Sequence, residues 1–513
     1  MSRYGILVLG AGVMQLPALE AARRNGWYLV VADGNPEALG RELADAFHVV
    51  DLKDIHGLLE LARSYYDAGN LHGVFTAGTD FSASVAYVAE ALELPGIPYE
   101  AALNATDKVR MRRVLADAGV PSPRFCEVSH GGSIDAAAVP TLPVVVKPVD
   151  NMGARGVRRV EEEAGLRDAV ADAILFSRSG RAIIEEFIEG PEFSIDALIV
   201  DGRMHVCGIA DRDIRFPPHF IEVGHTMPTV YGEREQSEVS AALSAAARAL
   251  GIRNGAAKGD IFLTDRGAIV GEVAARLWGG YMSGWTYPYA TGVPLTEAGM
   301  RIALGLDPGD LSPRRRWTSA ERASVSIPGR VMQVTGFDDA RGLLGIEKVF
   351  ERCGPGDTVV FPRNNTEKTA NVISAAPSRD EATTAAEEAI ARIVVRLVPD
   401  DEATREFLAD PGLPAAFDLS SAVNRAALDA MPDESPSPGC TVYRPLPDIA
   451  AEHERDWNYR TITRSLSLLG ELAGARPARG EEAAHGRSFW RALLKGGLQG
   501  ALFYLDTING GSR

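Results

Sequence analysis

Cysteine is scarce. Four residues, Cys126, Cys207, Cys353 and Cys440, are scattered over 513 positions with no CxxC pair. This argues against a disulfide framework or a zinc site and fits a reduced, cytoplasmic setting. Long apolar runs are lacking too: no stretch approaches the roughly 20 uninterrupted apolar residues of a membrane span. Tyr4 to Leu9 is apolar but short, and it leads into a glycine turn, unlike a signal peptide. Basic residues are outnumbered. The 53 Lys and Arg against 69 Asp and Glu leave a net charge of −16, a poor balance for general nucleic-acid binding. A local basic cluster can still hold an anionic ligand. The pattern Gly-x-x-x-x-Gly-Lys-Ser/Thr occurs nowhere, which excludes a P-loop. No internal repeat is found.

What is present suits a multi-domain globular protein. Hydrophobic content is 46%, enough for full cores, and the length suits three or four domains. The first hundred residues alternate strand patterns (Gly5–Leu9, Tyr28–Ala32, Ala46–Val50, Gly73–Thr76) with helix patterns (Gln15–Asn25, Ile55–Asp67, Phe81–Leu92). That alternation predicts a parallel, doubly wound sheet. Gly10-Ala11-Gly12 turns the first strand into the first helix, and Asp33 ends the second strand. A dinucleotide fingerprint needs a third glycine, but Gln15 stands there, followed by Pro17. The turn reads as a Rossmann-like scaffold. A nicotinamide-dependent oxidoreductase or a regulatory nucleotide-binding protein is the contrasting reading.

Further along, Asp107 to Gly119 predicts a helix stopped by Gly119 and Pro121. Strands are expected at Pro143–Lys147, Ala182–Glu186, Phe193–Val200, His205–Ala210, Gly259–Thr264 and Ala268–Val273, with an alanine-rich helix at Glu235–Leu250. Arg322 to Leu397 predicts another αβ unit, ending in a long helix over Arg379–Leu397. After Pro399 the composition changes. Pro432–Gly439 is a linker by composition, Asp448–Gly470 a helix, Arg476–His485 a polar break and Ser488–Ile508 an amphipathic segment. Its apolar face (Trp490, Leu494, Ala501, Leu505) needs a surface. The chain's own body or a second subunit in a homo-oligomer would supply one. The expected domains are 1–104, 105–310, 311–399 and 400–513.

Two stretches carry the chemistry. Val144-Val145-Val146-Lys147-Pro148 delivers a lysine at a strand end, and Asp150-Asn151-Met152-Gly153-Ala154-Arg155-Gly156-Val157 follows. Gly153 and Gly156 let backbone N–H groups close on phosphate oxygens without a Cβ in the way, and Lys147 adds a point charge. The second stretch, Ile183 to Glu192, is a strand running into a polar turn with glutamates placed to meet an adenosine. Together they read as an ATP site.

With Asp107-Lys108, Gly190-Pro191-Glu192, Asp260-Ile261-Phe262-Leu263 and Gly271-Glu272-Val273-Ala274-Ala275-Arg276, these segments resemble, in order, the ATP-grasp superfamily over about Arg3 to Pro399. The resemblance implies an α/β fold with an N-terminal Rossmann-like pre-ATP-grasp domain, a two-lobed ATP-grasp body, a C-terminal αβ lobe and a helical extension. It implies that Lys108 and Lys147 grip ATP phosphates, and that Glu185, Glu186, Phe187 and Ile188 form an adenine hinge. Glu192 would accept from ribose hydroxyls. Asp260 and Glu272, on strands joined by Asp265-Arg266-Gly267, would hold Mg²⁺ or Mn²⁺. Arg276 would stabilise charge on the transferred phosphoryl group. Many relatives carry Asn where Ala274 stands, which leaves a third protein ligand to the metal unassigned. Phe220-Ile221-Glu222-Val223-Gly224-His225-Thr226-Met227-Pro228 resembles the substrate loop of the dipeptide-forming L-amino-acid ligases, with Glu222 and His225 facing the amino-acid pocket. Trp278 and Trp285 either line that pocket or fill core. The implied activity is ligation of a small-molecule carboxylate to an amine with ATP split to ADP and phosphate. Carboxylation or ligation of the purine-synthesis type is the rival within the superfamily.

Overall fold

The computed structural model describes residues 3–132, 134–433, 436 and 439–510. It divides into two compact units, Met1–Ala320 with Ala375–Arg379, and Glu321–Ser374 with Asp380–Arg513.

The first unit opens with four strands, β1 (Gly5–Leu9), β2 (Tyr28–Asp33), β3 (Ala46–Val49) and β4 (Gly73–Phe75). They form a parallel sheet in the order β3-β2-β1-β4. All five residues of β1 are buried, as expected for a parallel strand covered on both faces. The alternation read from the sequence is therefore present, with ends shifted by at most one residue.

A four-stranded antiparallel sheet follows, built from β5 (Phe125–Ser129), β6 (Val144–Pro148), β7 (Arg158–Val160) and β8 (Arg181–Glu186) in the order β5-β8-β6-β7. Its core is Val128, Val144, Val146, Val160, Ala182 and Ile184 against the helix Leu166–Phe176. The glycine loop joins β6 to β7. A third sheet holds β9 (Glu192–Val200), β10 (Arg203–Arg215), β11 (Ile221–Met227), β12 (Gly255–Thr264) and β13 (Gly267–Ala274), in the order β13-β12-β9-β10-β11. One face is covered by helix Glu233–Leu250, whose Val239, Leu243, Ala246 and Leu250 are buried against Phe193, Ile195, Ala257 and Ile261. That helix stops at Gly251, where φ is +89° and glycine carries no Cβ penalty. The segment Phe220 to Pro228, expected as a loop, is mostly the buried strand β11.

The chain passes to the second unit within β14 (Thr318–Ser324). There β15 (Gly329–Thr335), β16 (Ile346–Glu351), β17 (Thr358–Val359), β18 (Ala370–Ala376) and β19 (Val394–Leu397) follow, with β15 between β17 and β19, and β16 antiparallel to β18. The long helix expected over Arg379–Leu397 ends at Arg392 instead. Ile393, Val394 and Val395 are β-branched, and β19 pairs with β15, so sheet formation overrides helix continuation. The helix expected over Asp448–Gly470 is likewise shorter, running Ile462–Ala473. Before it, the buried Asp456 carboxylate accepts from Asn458 N and Arg460 N, both at 2.9 Å, and Tyr459 has φ +64°. Thr461 then caps the helix, accepting from Arg464 N at 3.1 Å.

The final helix, Arg487–Ile508, runs through this unit's core. Phe489, Trp490 and Leu493 are fully buried. Gln499 Nε2 donates to Ser326 Oγ at 2.8 Å and to Val395 O at 3.0 Å. Gly497 leaves helical geometry at φ +61°, ψ −151°. The amphipathic segment thus finds its surface within its own unit. The linker expected at Pro432–Gly439 includes positions 434, 435, 437 and 438, which lie outside the described residues. Among the described residues, no helix is long and apolar enough to cross a membrane.

Candidate active site

Lys108 opens the helix Lys108–Asp117. The Asp107 carboxylate caps that helix, accepting from Val109 N at 2.9 Å and Arg110 N at 3.0 Å. This cap fixes where the lysine points. Its Nζ donates to Asn151 O in the glycine loop at 2.8 Å and pairs with Glu272 Oε1 at 3.2 Å. One ammonium therefore joins the loop expected to hold phosphate to the strand expected to hold metal.

Lys147 lies at the end of β6, with Nζ 2.6 Å from Glu185 Oε2 on β8. Glu185 also pairs with Arg112 Nε at 2.9 Å, and both of these side chains are buried. Burial alone would raise the Glu185 carboxyl, but Arg112 and Lys147 outweigh it and hold the group below its ordinary value. Burial lowers the Lys147 ammonium, with Glu185 opposing and Arg112 and Lys108 adding to the shift. Glu185 thus contributes its side chain, as an anchor for Lys147. Glu186 turns the other way and pairs with Arg266 NH2 at 2.9 Å and Arg124 Nε at 3.3 Å. The amides of Glu186 and Phe187 donate to Arg124 O and Pro143 O, and Ile188 is buried next to them.

In the glycine loop, Gly153, Ala154 and Gly156 all have left-handed backbone, at φ +70°, +59° and +68°. Glycine takes this backbone without a Cβ penalty at two of the three positions. The Asn151 side chain braces the turn, accepting from Met152 N at 2.8 Å and donating to Phe176 O at 2.7 Å.

Asp260 and Glu272 are direct cross-strand partners on β12 and β13. The register then skips Gly271, which forms a bulge next to Glu272. Arg112 NH2 donates to the Gly271 carbonyl at 2.5 Å, tying this bulge to the Glu185 network. Asp260 accepts from Ser194 Oγ at 2.6 Å and pairs with Lys258 Nζ, which also lies 3.7 Å from Glu272 Oε2. Burial would raise Glu272, yet Lys108, Lys258 and Lys147 hold it well below the carboxylate range. Two carboxylates on neighbouring strands are a hard-oxygen donor set, and the Glu272 side chain keeps 34% exposure. Both features fit a magnesium-type cation that also takes phosphate oxygens. Ala274 adds no ligand atom.

Glu222 and His225 come together on β11, with His225 Nδ1 3.7 Å from Glu222 Oε1. The ring of His225 lies 4.7 Å from that of Trp278, and its Nε2 meets Thr286 Oγ1 at 3.0 Å. Glu192, at the start of β9, pairs with Arg212. Arg276 NH1 donates to Leu277 O at 2.9 Å, holding the guanidinium close to its own strand end. Trp285 is buried against Tyr281, with ring centroids 5.6 Å apart.

Sequence reasoning missed four charged residues here: Arg112, Arg212, Lys258 and Asp80. Asp80 lies in the loop after β4, with Oδ2 3.0 Å from Arg178 NH2. Burial raises its carboxyl, against the fields of Arg178, Arg276 and Lys108. The close approach of Gly78 to Gly279 seats that loop: a Cβ on Gly279 would fall 2.3 Å from Gly78 O. Only Lys258, two residues before Asp260 on the same strand, carried a local signal. The other three belong to segments brought in by tertiary contacts.

The turn Gly10-Ala11-Gly12 is committed within the fold. Ala11 N donates to Asp33 Oδ2 at 2.7 Å, and Gln15 Nε2 donates to Ala77 O at 2.6 Å. A dinucleotide phosphate would have to displace these contacts.

Comparison with known proteins accords with this geometry. Residues 19–96 match the ATP-grasp N-terminal domain, 140–284 the ATP-grasp domain, and 324–398 the L-amino acid ligase C-terminal domain 2. The uncharacterized protein y4rH of Sinorhizobium fredii is 26% identical over 383 residues, 73% of this chain and 79% of that protein. Carnosine synthase 1 of Gallus gallus is also 26% identical, over 68% of this chain but 41% of its own length. The chain therefore spans about two fifths of that relative. The crystal structure of an L-amino acid ligase from Bacillus licheniformis superposes with a TM-score of 0.67 at 23% identity, covering 77% of this chain and all of that one. With these three domain models matched in order along the sequence, the chain belongs to the ATP-grasp superfamily.

Proposed function

We propose that the protein is an ATP-dependent ligase that joins an amino-acid-type carboxylate to an amine. The observation that carries this reading is the position of Lys108, in contact with both the glycine-loop carbonyl of Asn151 and the carboxylate of Glu272. Phosphate and metal would then meet at one point.

In this reading Lys108, Lys147 and the amides of the Gly153–Gly156 loop hold the ATP phosphates. Glu192 accepts from the ribose, and the Glu186–Ile188 segment borders the base. Asp260 and Glu272 would hold Mg²⁺ or Mn²⁺, which supplies charge neutralisation between the phosphates. A substrate carboxylate oxygen attacks the γ-phosphorus, the bond to the ADP oxygen breaks, and an acyl phosphate forms. The amine nitrogen then attacks the acyl carbon, phosphate leaves, and the amine loses a proton. Arg276 faces the developing negative charge, while Glu222 and His225 orient the amino-acid substrate. Positioning and electrostatics supply the rate, with no covalent protein intermediate.

The L-amino acid ligase C-terminal domain match and the likeness to carnosine synthase and to an L-amino acid ligase support the substrate class. Phosphate release from Mg-ATP across a panel of L-amino acids, with products weighed by mass spectrometry, tests the reading. A product heavier than one amino acid by a second, less water, supports it. ATP turnover that requires bicarbonate would favour the carboxylase-type alternative.

A further inference from the structure

Arg212 is the centre of a charge cluster that the mechanism above does not use. It sits on β10, between β9 and β11. NH1 pairs with Glu192 on β9 and lies 3.3 Å from Asp260 Oδ2 on β12, and NH2 lies 2.7 Å from Glu222 Oε2 on β11. The Arg212 side chain is 11% exposed, and those of Glu222 and Asp260 are 8% and 9% exposed. Three carboxylates share one guanidinium where water screens poorly. A planar fork with five donors can serve three acceptors at fixed angles, and a lysine ammonium cannot. The three carboxylates are those assigned to the ribose, the metal and the amino-acid pocket.

We infer that Arg212 is the positioning residue that sets all three subsites together, so that nucleotide, metal and carboxylate substrate are read by side chains locked to one another. The inference rests on the proposed reading for the names of the subsites. Its physical content is that one cation fixes the rotamers of Glu192, Asp260 and Glu222. Removing it leaves Asp260 with Lys258 and takes away the counter-charge that the three close carboxylates share, so they splay apart.

Three readouts test this on the full chain, each against the variant of one carboxylate. The first is the ratio of Kd for ADP and 2′,3′-dideoxy-ADP, compared with Glu192→Gln. The second is the magnesium concentration for half-maximal ADP binding, compared with Asp260→Asn. The third is the KM of the amino-acid substrate, compared with Glu222→Gln. Arg212→Lys should reproduce all three defects, each about fivefold or more, whereas each carboxylate variant shows mainly its own. A folded Arg212→Lys that moves none of the readouts, or only one, overturns the inference. Should that variant not fold, Arg212→Gln combined with Glu222→Gln removes one charge of each sign. It should still lose ribose discrimination and magnesium dependence, which Glu222→Gln alone keeps; retention of both in the double variant is equally fatal. If the wild type forms no amide, the ligase reading fails while the two nucleotide readouts still decide the role of Arg212.

Discussion

Glu222 and His225 are three residues apart on one strand, yet their side chains face each other, with Nδ1 3.7 Å from Oε1. A regular strand would send positions i and i+3 to opposite faces. The pairing of β10 with β11 steps from Asp213↔Gly224 to Ile214↔Glu222, leaving Val223 as an extra residue. This bulge brings the two groups to one side. Deleting Val223 should restore a regular register and turn Glu222 away. Amide formation should fall by about tenfold or more while nucleotide Kd changes little. Loss of nucleotide affinity alone would show that the pair does not serve the amino-acid pocket.

Lys147→Ala removes a charge from the expected phosphate site and leaves Glu185 with Arg112 alone. ATP turnover should fall by about 100-fold or more, as for loss of one preorganised charge at a reacting centre. Circular dichroism should remain native, because the side chain stands at a strand end. Phosphate release at the wild-type rate from the folded variant would refute the assignment.

Glu272→Gln keeps the shape of the side chain but removes an ionised oxygen that Lys108 and Lys258 now balance. The variant should need more magnesium for half-maximal activity and should lose more in kcat than in ATP affinity. Full activity at low magnesium would place the metal elsewhere.

Much of this site was legible because its chemistry is local. Lys147 with the Gly153–Gly156 loop, and Asp260 opposite Glu272 across a short turn, are each set by residues a few positions apart. Arg112, Arg212 and Asp80 were not legible, since each meets its partners through tertiary packing that no spacing announces. Glu185 illustrates the same limit: its strand was identified, but its side-chain role depends on Arg112, 73 positions earlier in the chain and 2.9 Å away. Helix lengths failed where tertiary pairing overrode local pattern, at Ile393 to Leu397 and around Asp456.

Glu452 gives the second unit a defined acid sensitivity. Its carboxylate accepts from Ser420 Oγ at 2.7 Å, Ser421 N at 3.0 Å and Asn424 Nδ2 at 3.0 Å. The Ser420 hydroxyl, followed by the Asn424 amide and the two backbone N–H groups, pulls it from 4.5 to about 2 against burial. A depressed folded value means stability that is present above about 4.5 and is lost as pH falls toward 2. Glu452→Gln should therefore lower Tm at pH 7 and flatten its decline between those values. Parallel Tm curves for wild type and variant would contradict this.

Trp490 is fully buried, with its indole Nε1 donating to Arg444 O at 2.8 Å. Trp490→Ala should destabilise the second unit by about 3–5 kcal/mol, the range for deleting a buried aromatic side chain. Chemical denaturation followed by far-UV circular dichroism reads this directly. A cost below about 1 kcal/mol would mean that the last helix is not part of the core.

The acyl phosphate is the centre of the account, and isotope transfer tests it most directly. L-amino acids labelled with ¹⁸O in the carboxylate are incubated with Mg-ATP and the protein, and the released phosphate is weighed. One ¹⁸O should appear in the phosphate for each amide formed, because the oxygen that attacks the γ-phosphorus leaves with it. Amide formation with unlabelled phosphate would contradict the proposed chemistry.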